Sequence, residues 1–110
     1  MKTKTQDLTE RIAKVTSTFL GFEDHGIFTF NLMLNYGDSG QGAGSYDLRG
    51  DWCAATLQAI LRACGVDQWE KIKGRTIIAL VDKQGFGLVR GIGPLPTEEG
   101  EFVLFQEVAQ

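Results

Sequence analysis

The sequence predicts an α+β protein, with a mostly antiparallel sheet of about five strands in the order β-β-α-β-β-β and one main helix packed on one face. Three observations carry this prediction. β-Branched and aromatic residues dominate two segments before residue 37, the spacing of apolar residues becomes helical between residues 51 and 65, and apolar, β-rich runs return after residue 75. The chain has 110 residues, and we expect a single domain because two domains of half this length would each be marginally stable.

The first predicted element is an antiparallel hairpin. Residues 1–12 are polar, and we expect them to be a flexible N-terminus. Residues 15–22 and 27–36 read as its two strands, joined by a connection in which Gly26 is free to adopt a positive φ. In the second strand the alternating residues expected on one face are Phe28, Phe30, Leu32, Leu34 and Tyr36.

A helix follows the hairpin and the glycine-rich segment. Apolar residues recur with helical spacing from Trp52 to Cys64. Asp51 is the expected N-cap, and Gly65 stands where a helix ends in the left-handed conformation. A second, short helical turn is expected after it, because Asp67 and Glu70 have the spacing of a capping box.

The last third of the chain predicts a second hairpin and a final strand. Residues 75–82 and 85–93 are apolar and β-rich, with a turn at 82–85 between them. The segment 94–101 carries both prolines and three glutamates, which is typical of a solvated loop, and the strand after it is expected at 101–108. Six residues are expected in the core: Phe30, Leu32, Leu57, Ile60, Leu61 and Ile78.

Charge and composition narrow the class of function. Eleven basic against fourteen acidic residues give a net charge of −3, which argues against a protein that coats nucleic acid, so we expect no direct nucleic-acid binding. No apolar run reaches the roughly 18 residues that span a bilayer, and no apolar segment follows the N-terminal lysines. We therefore expect no membrane contact and a location in the cytoplasm.

Metal ligands and reactive side chains are sparse. The chain has one histidine, His25, in a predicted exposed turn, and two cysteines, Cys53 and Cys64. The two cysteines lie eleven positions apart on one helix, too far to bridge, and are expected to be buried thiols. We expect no metal, no cofactor and no catalytic residue.

The glycine-rich segment, residues 37–50, holds five of the fourteen glycines and leaves several interpretations open. Its "GDSG" also surrounds the nucleophile of chymotrypsin-like proteases, but the histidine base and the long double barrel of those enzymes are missing. Its backbone N–H groups suggest a phosphate site with Arg49 as counter-charge, although the spacing fits no phosphate-binding motif. Alternating glycines also allow a strand to continue under a closely packed backbone or aromatic ring.

Three pieces of the chain resemble a group of small proteins encoded by phages and prophages. These are "LGFEDHGIFTF", "YGDSGQGAGSY" and "GVDQWEKIKG", and the resemblance covers residues 18–74. Relatives often carry a longer charged insertion before the helix and a different C-terminal hairpin. Phage accessory proteins of this size frequently inhibit bacterial immunity, among them anti-CRISPR proteins that occupy a nucleic-acid groove or block assembly of an effector complex.

The resemblance implies a non-enzymatic phage or prophage inhibitor that binds a host defence protein or ribonucleoprotein complex, as an anti-CRISPR protein does. Two alternatives are a protein that binds a signalling nucleotide through residues 37–50 and a structural or assembly protein of the phage. The exposed sheet edges also make a homodimer plausible. The residues expected to contact a partner are Glu23, Asp24, Asp38, Gln41, Tyr46, Asp47 and Arg49, with Glu98, Glu99 and Glu101 as a second patch.

Overall fold

The computed structural model describes residues 8–82 and 87–105, which form one antiparallel sheet of six strands and one main α-helix. The elements in chain order are β1 Leu8–Phe22, β2 Phe28–Asn35, β3 Gly40–Gly44, α1 Cys53–Cys64, β4 Thr76–Asp82, β5 Val89–Gly93 and β6 Val103–Leu104. A single 3₁₀ turn, Trp69–Lys71, lies between α1 and β4. The predicted α+β class is confirmed, and β3 is the strand beyond the expected five.

The sheet is built around β1, which has a different partner in each half. Its strand order is β3-β2-β1-β4-β5-β6. The first half of β1, up to Lys14, pairs with β4, and the second half, from Lys14 onward, pairs with β2. The register of the pairing with β2 shifts between Val15 and Ser17, directly after the pairing with β4 ends. A bulge of this kind bends a strand and increases its twist.

The bend brings the two sides of the sheet towards each other. The Nε2 of Gln41 on β3 donates to the carbonyl oxygen of Gly87, just before β5, at 2.9 Å. β3 and β5 are therefore in contact although they are not paired, and β6 pairs with β5 at the edge of the sheet.

The N-terminal segment differs from the expectation. Residues 8–12 pair with β4 and belong to β1, while residues 1–7 of the expected flexible terminus lie outside the described residues. Arg11 shows how a charged side chain fits this strand. Its guanidinium carbon lies 3.9 Å from the centre of the Tyr36 ring, and its Nη2 lies 3.4 Å from Oδ1 of Asp38. A cation over an aromatic ring is a favourable contact, so the charge is accommodated within the strand.

The hydrophobic core lies on one face of the bent sheet and beneath α1. The predicted alternation in β2 is confirmed, since Phe30, Leu32 and Leu34 are buried and their neighbours on that face, Phe28 and Tyr36, pack against the core. Of the other residues expected in the core, Ile60 and Ile78 are buried. Leu57 and Leu61 are only half-buried, which corrects the prediction. The buried stripe of α1 is Thr56, Ile60, Ala63 and Cys64.

The two ends of α1 compare differently with the sequence prediction. Gly65 ends the helix in the left-handed conformation, with φ 71°, as expected. Asp51 is not the N-cap, because the helix begins after Trp52 and no side chain caps it. The indole N–H of Trp52 instead donates to the carbonyl oxygen of Asp47 at 3.0 Å and ties the start of α1 to the end of the glycine-rich segment.

The remaining expectations concern short connections. The capping box of Asp67 and Glu70 does not form, and Asp67 makes an ion pair with Lys71, 3.1 Å from Oδ1 to Nζ. Residues 83–86, which include most of the expected turn, lie outside the described residues. The last strand is shorter than predicted, since only Val103–Leu104 pairs and residues 106–108 are also outside the described part of the chain.

Candidate binding groove

An open groove crosses the outer face of β1 and β2, the face opposite the hydrophobic core. Because successive side chains of a strand point to opposite faces, the residues between the buried ones of β2 point outward. The register places these residues beside Ser17, Phe19 and Gly21 of β1. The groove has a volume of about 420 Å³, and its lining residues are Ser17, Thr18, Phe19, Glu23, Ile27, Thr29, Asn31, Met33, Ser45 and Asp47.

The floor of the groove is apolar and partly exposed. Phe19 is 43% exposed and Met33 is 44% exposed. The ring of Phe19 lies above Gly21, whose position for a Cβ is 3.3 Å from Cζ of that ring. An exposed aromatic ring and a flexible thioether on one rigid sheet face are typical contact groups of binding surfaces.

A second depression adjoins the groove and shares Asn31, Ser45 and Asp47 with it. Its volume is about 790 Å³, and it extends over the outer face of β3 towards β5. Gly42 and Gly44 form part of its wall, so the backbone of β3 is uncovered there. The two depressions together make a surface that runs across four strands: β1, β2, β3 and β5.

Asn31 is the polar centre of this surface. Its Nδ2 donates to Oγ of Ser45 at 3.1 Å, while its Oδ1 is buried and has no hydrogen-bond partner among the described residues. Ser45 is the one residue other than glycine with a positive φ in the described chain, at 69°. The N–H of Ser45 donates to the Phe30 carbonyl oxygen at 2.7 Å, which fixes this unusual backbone conformation and the position of the hydroxyl group.

Glu23 and Asp47 line one end of the groove. We name as the acidic rim these two residues together with Asp24, the chain neighbour of Glu23, and Arg49, which is paired with Asp47. The carboxylate of Glu23 accepts hydrogen bonds from the N–H groups of Ile27, at 3.2 Å, and of His25. The bond from Ile27 is the main cause of the lowered pKa of Glu23. Asp24 is exposed in the same turn.

Asp47 and Arg49 form a bidentate ion pair within the acidic rim. The distances are 3.0 Å from Nε to Oδ1 and 2.8 Å from Nη2 to Oδ2. These hydrogen bonds lower the pKa of Asp47 from its usual 3.8 to about 2. The rim therefore carries three carboxylates against one guanidinium at neutral pH, and that guanidinium is already engaged.

The structure separates the residues that the sequence grouped as partner-binding. Four of them form the acidic rim, whereas Asp38 and Gln41 lie at the other end of the β2–β3 hairpin. Asp38 contacts Arg11, and Gln41 accepts a hydrogen bond from the Tyr36 hydroxyl group at 2.7 Å. Tyr46 is half-buried and packs inward, with its ring 6.4 Å from that of Phe30.

The second predicted patch lies elsewhere, on the loop before β6. Glu98 makes an ion pair with Arg75, 2.8 Å from Oε1 to Nη2, near the end of α1. Glu99 and Glu101 are exposed on the same loop. The patch is thus separate from the groove, and only the acidic rim combines predicted charges with an apolar surface.

Sequence reasoning missed the central residues of the groove. Phe19, Asn31 and Met33 occupy alternate positions on the non-core face, so the same period that identified the core also contained the signal for an exposed apolar face. A phosphate site is one of the alternative interpretations of the glycine-rich segment, and there Gly40–Gly44 forms a strand paired with β2. Arg49, the counter-charge in that alternative, is paired with Asp47.

The reactive side chains in the described ranges are dispersed. His25 is exposed in its turn, as expected, with Nδ1 at 3.4 Å from Oε2 of Glu23. Cys64 is buried as expected, which raises the pKa of its thiol to about 12, whereas Cys53 is only half-buried, which corrects the prediction. No group of three or more histidine, cysteine, aspartate or glutamate side chains is arranged to hold a metal ion within residues 8–82 and 87–105.

The fold and the groove together define a small α+β protein with an open, acidic-rimmed surface on one sheet face. The chain matches no protein-family model, no curated protein and no solved structure to which it was compared. In the part of the chain that the structure describes, none of the helices has the length and apolar character needed to cross a membrane.

Proposed function

We propose that this protein is a non-enzymatic binding protein that inhibits a host defence component by docking the acidic rim and the groove on a basic surface of a nucleic-acid-guided complex. The observation that carries the proposal is the juxtaposition of ionised carboxylates and exposed apolar side chains. The carboxylates of Glu23 and Asp47 line the same groove as Phe19 and Met33. A charged margin around an apolar centre is the usual composition of a protein–protein contact surface.

The sign of the charge favours a basic protein surface as partner. The pKa values of Glu23 and Asp47 are both lowered, so these carboxylates stay ionised well below neutral pH. An acidic surface accelerates association with a basic one and disfavours partners of like charge. A channel that normally holds nucleic acid is such a basic surface, and an acidic protein can compete for it.

The same charge disfavours nucleic acid itself as the ligand. Proteins that bind single-stranded nucleic acid on a sheet face place basic side chains along the phosphate backbone. Here the acidic rim lies at the end of the groove, and the guanidinium groups of Arg49 and Arg90 are each paired with an aspartate, Asp47 and Asp82. Fold alone does not determine function, and the charges of this surface support a protein ligand.

The resemblance of residues 18–74 to phage and prophage proteins supports a defence component as the target. That segment contains β2, β3, α1 and nearly all lining residues of the groove. Phages gain from proteins that block host immunity, and inhibition by occupancy needs a rigid fold and a complementary surface rather than chemistry. The proposed contact surface therefore lies almost entirely within residues 18–74, the segment that resembles the phage and prophage proteins.

A matched pair of charge reversals tests the proposal. Asp24→Lys alters the acidic rim, and Glu99→Lys makes the same change of charge on the separate loop before β6; both residues are exposed. The immobilised wild-type protein and both variants are offered a set of purified CRISPR effector complexes, and binding is measured by interferometry together with inhibition of target cleavage. Circular dichroism verifies that both variants are folded.

We expect the wild type and Glu99→Lys to bind and inhibit alike, and Asp24→Lys to bind at least about tenfold more weakly, which corresponds to about 1.4 kcal/mol. Equal behaviour of the two variants, or a selective loss in Glu99→Lys, would contradict the assignment of the surface. A fluorescence-anisotropy titration with single-stranded DNA is the parallel control. Tight binding of that DNA by the wild type would overturn the choice of a protein ligand.

A further inference from the structure

The second half of β1 has a free edge on the side away from β2. β1 pairs with β4 only from Leu8 to Lys14, while its pairing with β2 runs from Lys14 to Phe22. Beyond Val15, the edge of β1 that faces away from β2 therefore has no strand neighbour among residues 8–82 and 87–105, and we call residues 15–22 the arm. Such an edge is a template for pairing with another strand.

The direction of the backbone groups on this edge follows from the hydrogen bonds of β2. The carbonyl oxygens of Phe28 and Phe30 accept hydrogen bonds from the N–H groups of Leu48 and Ser45. The backbone N–H and C=O groups of the even-numbered residues of β2 therefore point towards β3. The backbone N–H and C=O groups of the odd-numbered residues of β2 then point towards β1, where they bond to their register partners. These partners are also odd-numbered: Phe19, for example, lies opposite Asn31. The N–H and C=O groups of Thr18 and Leu20 consequently point to the free edge.

Three large apolar side chains of the arm are exposed. Phe19, Leu20 and Phe22 are 43%, 36% and 71% exposed, and no residue between Val15 and Phe22 is charged. Natural proteins usually protect a free edge with a lysine, a proline or a covering segment. Between Val15 and Phe22 this edge contains neither a lysine nor a proline.

We propose that this edge pairs antiparallel with the same edge of a second copy, with Phe19 of each copy opposite Phe19 of the other at a two-fold axis. In this register Thr18 of one copy stands opposite Leu20 of its partner. Both present their N–H and C=O groups to the shared edge, so the hydrogen-bonding positions match. The two Phe19 rings form a cross-strand aromatic pair, which stabilises an antiparallel ladder.

The charges at the two ends of the arm favour a second copy over an unrelated strand. Lys14 and Lys73 are exposed at the base of the arm, where the N–H of Gly74 donates to the Val15 carbonyl oxygen at 2.7 Å. Glu23 and Asp24 lie at its tip. Antiparallel pairing brings the acidic tip of each copy to the basic base of the other. The dimer is isologous, and it sets the two grooves side by side in one continuous sheet.

A cysteine cross-link at the axis tests this pairing on the purified protein alone, so the result is independent of the proposed function. Phe19→Cys is compared with Met33→Cys, an equally exposed position on β2 away from the free edge. Both variants carry Cys53→Ser, while Cys64 is kept because it is buried and its raised pKa makes it unreactive. Disulfide formation under mild oxidation is followed on non-reducing gels.

We expect Phe19→Cys to form a covalent dimer at least about tenfold faster than Met33→Cys, because opposed residues of a non-hydrogen-bonded pair have the separation that a disulfide needs. Sedimentation of the unmodified protein should show a dimer that dissociates on dilution, and Phe19→Lys should shift it to monomer. Equal cross-linking rates, or a monomer at every concentration, would overturn the proposal. A dimer that Phe19→Lys leaves intact would overturn it as well.

Discussion

Gly44→Ala should destabilise this fold strongly, because two separate features of the structure exclude a side chain at residue 44. Its φ is +124°, a conformation that residues other than glycine rarely adopt. A Cβ at this position would lie 2.6 Å from the Phe30 carbonyl oxygen and 2.9 Å from the nearest atom of the Phe30 ring. The ring is completely buried, so it has little freedom to move.

The two effects give a magnitude. A non-glycine residue in such a conformation costs about 1–3 kcal/mol, and forcing extra volume against a packed core costs about 1–3 kcal/mol. We therefore expect Gly44→Ala to lower the free energy of unfolding by about 3 kcal/mol or more, a large part of the 5–15 kcal/mol typical of a domain. Gly42→Ala is the matched control on the same strand. A Cβ there would be 3.3 Å from Oδ1 of Asn31, the end of a side chain, so we expect a change within about 1 kcal/mol.

Urea denaturation of both variants measures the difference. With slopes of about 1–3 kcal/mol per molar, the midpoint of Gly44→Ala should fall by about 1–3 M, while that of Gly42→Ala stays near the wild type. Equal midpoints for the two variants would refute the placement of Gly44 at the end of β3.

Burial and charge give further expectations for single residues. Ile60→Ala should cost about 2–5 kcal/mol because Ile60 is completely buried, and Leu61→Ala should cost less at its half-buried position; equal losses in parallel urea titrations would contradict this order. The lowered pKa of Asp47 stabilises the fold above about pH 4, and this contribution should be lost as the pH falls through about 2. An NMR titration of the Asp47 carboxyl group checks this, and a midpoint near 3.8 would be inconsistent with the ion pair. In native protein a thiol reagent should modify Cys53 before Cys64, whose pKa is raised to about 12; equal rates would place both thiols at the surface.

The sequence pattern was sufficient for the elements whose hydrophobic period is strong. The alternation of β2 and the helical stripe of α1 are local properties, and both appear in the structure where they were predicted. The positive φ of Gly26, now 82°, and the left-handed end of α1 at Gly65 were also predicted, because glycine is the residue that these conformations favour.

Elements that depend on contacts with other parts of the chain were harder to predict from the sequence. Residues 8–12 are polar enough to read as a loose terminus, yet they become strand because β4 supplies a partner 66 to 74 positions later in the chain. The start of α1 also differs from the prediction. The indole N–H of Trp52 bonds to Asp47, five positions earlier, and the helix begins after Trp52 without a side-chain cap.

The glycine-rich segment illustrates the ambiguity of composition. Alternating glycines are compatible with a phosphate cradle and with a tightly packed strand, and the structure adopts the strand, where Gly44 fits against Phe30. Acidic residues could likewise be recognised as exposed without any indication of which ones meet. Only the folded hairpins bring Glu23 near Asp47 and leave Glu99 far along the chain on another loop.

Hydrogen–deuterium exchange of the protein with and without the nucleic-acid-guided complex that we propose as its target tests the proposed contact surface most directly. We predict that the complex protects residues 17–33 and 45–49, which contain the groove and the acidic rim, and leaves residues 94–101 unchanged. Protection confined to residues 94–101 or to α1 would contradict the assignment of the surface.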